Sequence, residues 1–313
     1  MSNMFVLKCL TILLTTGILM ILPSPDVLAE KRIDYKSRDS WNDILNHEDT
    51  VNYPVIFIHG IGGKLSFWEK TIKTMVGSNY YEMRYIKNNK VYHNYYGEEP
   101  ERWVWNISYY TLNGVKETIY GDLNLYARRL HKMIEIIKEI TGKDKVIIVA
   151  HSMGGLVARK YMTTNNKCWE SVYKILTVGT PNEGVEVSVG IVGQLRDLKK
   201  GSSFINNLNR DWVKMKKHHE KWGIVAGIKN NSFLIDYNFN PRATDAAGPG
   251  FVTVSSAIPF GEWEGAFRTG VGKEAYNTPH FGFRILVEAS HMDLLYHRGT
   301  FMGIHWALMK NDR

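Results

Sequence analysis

Val146-Ile147-Ile148-Val149-Ala150-His151-Ser152-Met153-Gly154-Gly155 is the stretch on which the fold turns. Four β-branched residues in a row read as a strand buried on both faces, since such a strand has no solvent side to alternate toward. From Gly154 to about Met162 the pattern reads as a helix. Ser152 therefore sits between a buried strand and a helix, with Ala150 two positions before it and Gly154 two after. Small residues at those places permit a sharp, strained turn that leaves the serine hydroxyl free. The helix then points its amino terminus at that hydroxyl, where developing negative charge is stabilised. The ten residues predict a strand–turn–helix unit and a nucleophile together.

Working outward, the same buried-strand signature recurs. Upstream, Val55-Ile56-Phe57-Ile58 follows Pro54 and stops at His59-Gly60. Ser66, with Glu69 three residues later, is placed to cap a helix reaching about Val76. The segment from Tyr80 to Pro100 is polar and aromatic, and Trp103, Trp105, Ile107 and Tyr109 then alternate as on a strand. Asp122 is placed to cap a long helix ending near Ile140, with Leu123, Tyr126, Leu130, Met133, Ile134 and Ile137 at helical spacing and Gly142 as its stop. Downstream, strands are expected at Val172 to Val178, Gly223 to Ala226, Phe251 to Val254 and Arg284 to Val287. Strand and helix in alternation predict an α/β fold: a mostly parallel central sheet with helices on both faces. Residues 182–222 break the rhythm with helix-like sequence interrupted at Gly201-Ser202, and read as a helical cap or lid insertion.

The first 29 residues stand apart. Lys8 precedes an apolar run from Cys9 to Leu22, Pro23 and Pro25 end it, and Val27-Leu28-Ala29 supplies a small-residue cleavage site. That layout reads as a secretory signal peptide, cut after Ala29; the run is short for a membrane-spanning helix, and an uncleaved anchor is the alternative. The expected organisation is thus residues 1–29 as signal and 30–313 as one domain, secreted. Cleavage removes one of the 2 cysteines and leaves Cys168 alone, so no intrachain disulfide can form. It removes Lys8 and Asp26 together and leaves the net charge at +8. The basic residues are dispersed, with short pairs at Lys199-Lys200 and Lys216-Lys217, which suits transient contact with anionic membrane surfaces and excludes a nucleic-acid-binding motif. Gly60 and Gly62 begin a dinucleotide fingerprint, but Leu65 stands at its third glycine, and no Gly-Lys-Ser/Thr triplet occurs. His218-His219-Glu220 lacks the His-Glu-x-x-His spacing of a helical zinc site.

With these residues in place the chain resembles bacterial secreted lipases and carboxylesterases of the α/β-hydrolase superfamily. The resemblance spans roughly residues 54 to 300. His59-Gly60-Ile61-Gly62-Gly63 is similar to their oxyanion loop, Ala150 to Gly155 to their nucleophile elbow, and Gly179-Thr180-Pro181-Asn182-Glu183-Gly184 to the segment after the next strand. Leu198 to Asn209 is similar to a helical stretch of lipases. The resemblance implies hydrolysis of carboxylic esters, lipid or acylglycerol esters first among them, through an acyl-serine intermediate. It implies no metal and no cofactor. Phospholipase and acyltransferase activity stay open on the same fold, and so does a noncatalytic exported binding protein.

Acyl transfer places negative charge on the carbonyl oxygen, which two pre-oriented backbone N–H groups can hold. One belongs to the residue after the nucleophile, Met153. The other, by resemblance, is that of Ile61. His59 reads as a residue that orients the loop. The chain order of the fold is serine, acid, histidine. Among His280, His291, His297 and His305, His291 is expected as the base, because Ser290-His291-Met292-Asp293-Leu294-Leu295 follows the last expected strand and resembles the lipase histidine loop. The acid is less plainly marked. The family's aspartate precedes a glycine and an apolar strand, and here Pro249-Gly250-Phe251-Val252 places a proline there. Asp245, four residues upstream, is expected in that role, with Asp236 and Glu262 in reserve.

Overall fold

The apolar runs form the middle of a sheet. In a computed structural model, which describes residues 33–111, 117, 121–186, 193–229, 245 and 252–311, nine segments pair. They are β1 (Val55–Ile58), β2 (Tyr81–Lys87), β3 (Lys90–His93), β4 (Val104–Ser108), β5 (Val146–His151), β6 (Val172–Val178), β7 (Trp222–Ile228), β8 (Glu274–Tyr276) and β9 (Phe283–Glu288). Their order is β3-β2-β4-β1-β5-β6-β7-β9-β8. From β2 across to β9 every pairing is parallel, and only the edge strands β3 and β8 run antiparallel. Every residue of β1, β5 and β7 is buried, as continuous apolar runs require. The compact unit comprises Tyr35–Arg313. The expected signal, residues 1–29, lies outside the described residues.

Helices cover both faces. In chain order the described ones are α1 (Arg38–Asn46), α2 (Ser66–Val76), α3 (Leu123–Thr141), α4 (Met153–Met162), α5 (Asn166–Glu170), α6 (Gln194–Leu198), α7 (Ser203–Trp212), α8 (His218–Lys221), α9 (Val254–Ala257), α10 (Trp263–Thr269) and α11 (Arg298–Leu308). Alternate strand residues point to opposite sides. Ile148 and Ala150 of β5 therefore join a core with Leu130 and Met133 of α3 and Leu156 and Val157 of α4. On the other side Phe57 of β1 packs on Trp68 of α2, ring centroids 5.3 Å apart, and Trp41 of α1 packs on Phe301 of α11 at 5.7 Å. The fold is the expected α/β arrangement.

Three local readings change. Ser66 is the first residue of α2, and Leu65 takes the cap position with no side-chain cap bond, so the capping box does not form. Glu69 pairs with Lys73 one turn on instead. The polar, aromatic stretch after Tyr80 is the β2–β3 hairpin. Its turn is Asn88-Asn89, with φ of 50° and 61°, and two asparagines tolerate that region better than other side-chain-bearing residues. The strand expected at Phe251 to Val254 is replaced at its end by α9. Thr253 Oγ1 accepts from Ser256 N–H at 3.2 Å, and this N-cap turns the chain into a helix at Val254. Phe251 lies outside the described residues.

Candidate active site

The elbow begins with a register fact. β5 ends at His151 and α4 begins at Met153, so a single residue makes the reversal. Ser152 does so at φ 53° and ψ −131°, a conformation that costs energy for any residue with a Cβ. The surroundings leave no alternative, because the turn is crossed by the loop after β1. A Cβ on Gly154 would lie 2.4 Å from the His59 carbonyl oxygen, and one on Gly60 would lie 2.7 Å from Ser152 Cβ. Glycine at these two places lets the loop lie directly over the serine. Met153 opens α4, so its N–H has no partner within the helix. Ile61 follows Gly60 in the crossing loop and is partly exposed.

His59 fastens that loop. Its Nδ1 lies 2.9 Å from the Gly60 carbonyl, which can only accept, so Nδ1 carries the proton. Its Nε2 lies 2.8 Å from Ser108 Oγ, which then donates. Burial pushes the imidazole down to about 4, so it stays neutral. Tyr109 donates its hydroxyl to the His59 carbonyl at 3.0 Å, and Tyr110 stacks on the ring with centroids 5.1 Å apart. The Tyr110 hydroxyl donates to Gln194 Oε1 at 3.0 Å. Both nitrogens of His59 are engaged, Nδ1 within its own loop and Nε2 by Ser108 at the end of β4, which is an orienting role. The sequence places Tyr109 on a strand and offers the aromatic cluster at 92–110 as pocket lining or core, but does not show that Ser108, Tyr109, Tyr110 and Gln194 surround His59. The first three lie at the carboxyl end of β4, next to β1 in the sheet, and that adjacency is the signal for them; Gln194 has no local one.

On the other side of the serine, the loop after β9 brings in His291. Its Nδ1–H donates to Asp245 Oδ2 at 2.6 Å, and its backbone N–H donates to the Asp245 carbonyl at 2.7 Å. Asp245 is buried. Asp245 N–H in turn bonds the Val252 carbonyl at 3.3 Å, which ties Asp245 to the segment that leads into α9. His291 also touches the elbow. Its carbonyl accepts from His151 Nε2 at 2.9 Å, and the two rings lie 4.5 Å apart. The structure thus brings Ser152, Met153, Ile61, His291 and Asp245 to one edge of the sheet, at the carboxyl ends of β1, β5 and β9. It does not bring Glu262 there: Glu262 bonds His280 at 2.9 Å and Arg284 at 3.0 Å. Asp236 and Pro249 lie outside the described residues. Asp293 accepts from Ser290 Oγ. His218 bonds the Met215 carbonyl and His219 lies 4.0 Å from Glu220, and among the described residues no group of three or more ligand side chains could hold a metal.

Within residues 182–222, expected as an insertion, α7 is firmly held. Trp212 is fully buried between Trp169 and Trp222, at 5.2 and 4.9 Å between centroids. Arg159 of α4 is buried too, and donates to Asn182 Oδ1 and to Asn209 Oδ1, each at 2.9 Å. Any movement of α7 has to break these contacts.

The geometry agrees with what the chain is similar to. The model of the PGAP1-like alpha/beta domain matches residues 49–237, more than half of the chain. The chain belongs to the PGAP1-like alpha/beta domain family. The matched span runs from β1 to beyond β7 and holds Ile61, Ser152 and Met153, while Asp245 and His291 follow it. A stretch of 115 residues is 31% identical to the GPI inositol-deacylase of Kluyveromyces lactis, covering 36% of this chain and 12% of that protein. Two solved structures share the fold at 16% identity. The lin2722 gene product of Listeria innocua superposes with a TM-score of 0.56 over 84% of this chain and 96% of that one. Lipase BlEst2 of Bacillus licheniformis in its mature form gives 0.51 over 85% and 95%. This PGAP1-like chain therefore has the α/β-hydrolase fold.

Proposed function

We propose that the protein is an exported serine hydrolase of carboxylic esters, acting on lipid or acylglycerol esters through an acyl-serine. The observation that carries this is the bond from His291 Nδ1 to the buried Asp245, beside a serine held in a strained elbow. Fixing the proton on Nδ1 leaves Nε2 bare to act as base. His291 Nε2 takes the Ser152 proton as Oγ bonds to the ester carbonyl carbon. The oxyanion is held by the N–H groups of Met153 and Ile61. As the carbon–oxygen bond to the alcohol breaks, His291 returns the proton to the leaving alkoxide. Water then attacks the acyl-serine with the same proton traffic and releases the acid. The helices α6, α7 and α8, within the expected 182–222 insertion, serve in this reading as the cap, while Trp222 belongs to β7.

A narrower reading of the same chemistry is favoured by the family match: removal of an acyl chain from an acylated inositol lipid, as the name of the Kluyveromyces lactis relative describes for that protein. Purified protein is expected to hydrolyse short p-nitrophenyl esters and to be labelled at Ser152 by a fluorophosphonate. Absence of both, with folded protein, overturns the enzyme reading in favour of a noncatalytic binding protein. Comparing acyl-inositol lipids with acylglycerols and phospholipids of equal chain length then selects the substrate.

A further inference from the structure

His151 is a buried histidine that the proposed mechanism leaves without a part. It precedes the nucleophile in the chain and touches the base in space. Its Nε2 lies 2.9 Å from the backbone carbonyl of His291, which can only accept, so Nε2 carries the proton. Its Nδ1 is buried with no partner among the described residues, as suits a bare nitrogen on a neutral ring. Trp68 and the His151 ring lie nearly perpendicular, 6.3 Å apart between centroids, and Trp68 itself is pinned by its Nε1 to the Ile58 carbonyl at 2.9 Å. The ring therefore has little room to rotate.

Among the described residues three hydrogen bonds locate His291. Two run to Asp245, one from the ring and one from the backbone N–H. The third, to the carbonyl, comes from His151. Asp245 fixes the base relative to its own loop, whereas His151 is covalently bonded to Ser152. We propose that His151 is a positioning residue that sets the separation of nucleophile and base, through the bond from its ring to the His291 carbonyl. Without it, among the described residues Ser152 and His291 are related through β5, β6, β7 and β9 and through packing such as that of His291 on Gly179 and of the Leu295 carbonyl on Thr71 of α2. An error near 1 Å at such a distance can cost about 100-fold in rate. The ring has to be neutral for this role, because it lies against the imidazole that becomes cationic in the transition state. Burial and the neighbouring His291 hold His151 well below the ordinary histidine range.

This inference rests on Ser152 as nucleophile and His291 as base. Its test uses variants matched by bond count. A glutamine Nε2 lies as many bonds from Cα as the histidine Nε2 and can reach the carbonyl, whereas an asparagine Nδ2 is one bond short. Active sites are counted by the fluorophosphonate, and kcat is expressed per counted site. His151→Leu and His151→Asn are expected to lower kcat per site about 10- to 100-fold with KM changed less than about threefold, and His151→Gln is expected to restore most of it. A merely structural role would lower the number of counted sites and the melting temperature, and leave kcat per site unchanged. Equal kcat per site in all variants, or glutamine as poor as asparagine, overturns the proposal. If His151→Leu does not fold, the asparagine–glutamine comparison decides alone. An unreactive wild-type protein is a separate outcome: it removes the hydrolase reading, and this inference with it.

Discussion

Ser152 pays a conformational cost that its neighbours impose. With φ at 53° the residue sits where a Cβ is unfavourable by roughly 1–3 kcal/mol. Glycine would relieve that strain, at an unfolded-state cost of about 0.4–1 kcal/mol. Ser152→Gly is therefore expected to be inactive yet more stable than Ser152→Ala by about 1 kcal/mol, as read from urea midpoints. Equal stability would mean the elbow stores no strain. The acid offers a sharper contrast. Asp245→Asn leaves a neutral amide beside His291 Nδ1 and disfavours the productive tautomer, so turnover is expected to fall by roughly 10³–10⁴. Glu262→Gln touches only the His280 and Arg284 cluster and is expected to keep turnover within about threefold while lowering the melting temperature. Steady-state rates on a p-nitrophenyl ester check both; comparable losses would remove Asp245 from the role. Residues differ in how legible they were for a physical reason. Ser152, Met153 and Ile61 depend on short-range sterics written in adjacent positions. Asp245 depends on a long-range meeting with His291, which its neighbours in sequence do not encode; only its place upstream of Pro249 points to it.

At the scale of elements, legibility followed burial. β1, β5 and β7 are buried along their whole length, and their sequences are correspondingly unambiguous. Asp122 and Gly142 bound α3 as read: Asp122 accepts from Leu125 N–H at 2.7 Å, and Gly142 takes the left-handed conformation at φ 65°. The β2–β3 hairpin escaped because an edge pair is half exposed and carries no clean apolar period. Val254 was misplaced because an N-cap at Thr253 overrode a β-branched run. The connection between α4 and α7 was not legible at all, since it joins distant segments through a buried cation. The Arg159 guanidinium lies 4.1 Å from the Trp222 ring centre and 4.7 Å from that of Trp212, with both terminal nitrogens committed to Asn182 and Asn209. A lysine has one compact ammonium and cannot serve both carboxamides while stacking on two indoles. Arg159→Lys is expected to lower stability by about 2–3 kcal/mol, measured by chemical denaturation, and to make α7 exchange its amide hydrogens faster. An unchanged midpoint would show that the two asparagines find other partners.

At the scale of the whole molecule, buried titratable groups set a stability optimum on the alkaline side of neutrality. His59 is held down to about 4 by burial, and His151, His218, His297 and His305 are lowered as well, burial again leading in each. Such groups gain protons on unfolding as pH falls below the ordinary histidine value. Their stabilisation is complete above about 6.5 and is lost between there and about 4. For His59 alone the difference amounts to roughly 3 kcal/mol. Acid also adds charge to a chain already at +8, so self-repulsion acts in the same direction. On the basic side, burial lowers Lys221 to about 8, so it joins the histidines in adding stability, in its case as pH rises above that value. The buried tyrosines oppose them only higher up. Tyr35 and Tyr110 are raised to about 12, and Tyr109, Tyr126 and Tyr161 are raised too, all by burial. They stay neutral in the fold while the unfolded chain ionises from about pH 10, so stability falls as pH rises past that point. The melting temperature is expected to climb from pH 5 to about pH 8, hold or rise slightly to about pH 9.5, and fall steeply above pH 10. Thermal melts at constant ionic strength check this, and a higher melting temperature at pH 5 than at pH 9 would contradict it. The acid limb can be assigned as well. Because His59 contributes to it through a neutral ring bonded to Gly60 and Ser108, His59→Gln should flatten the melting curve between pH 4 and 6.5 even as it lowers stability at pH 8.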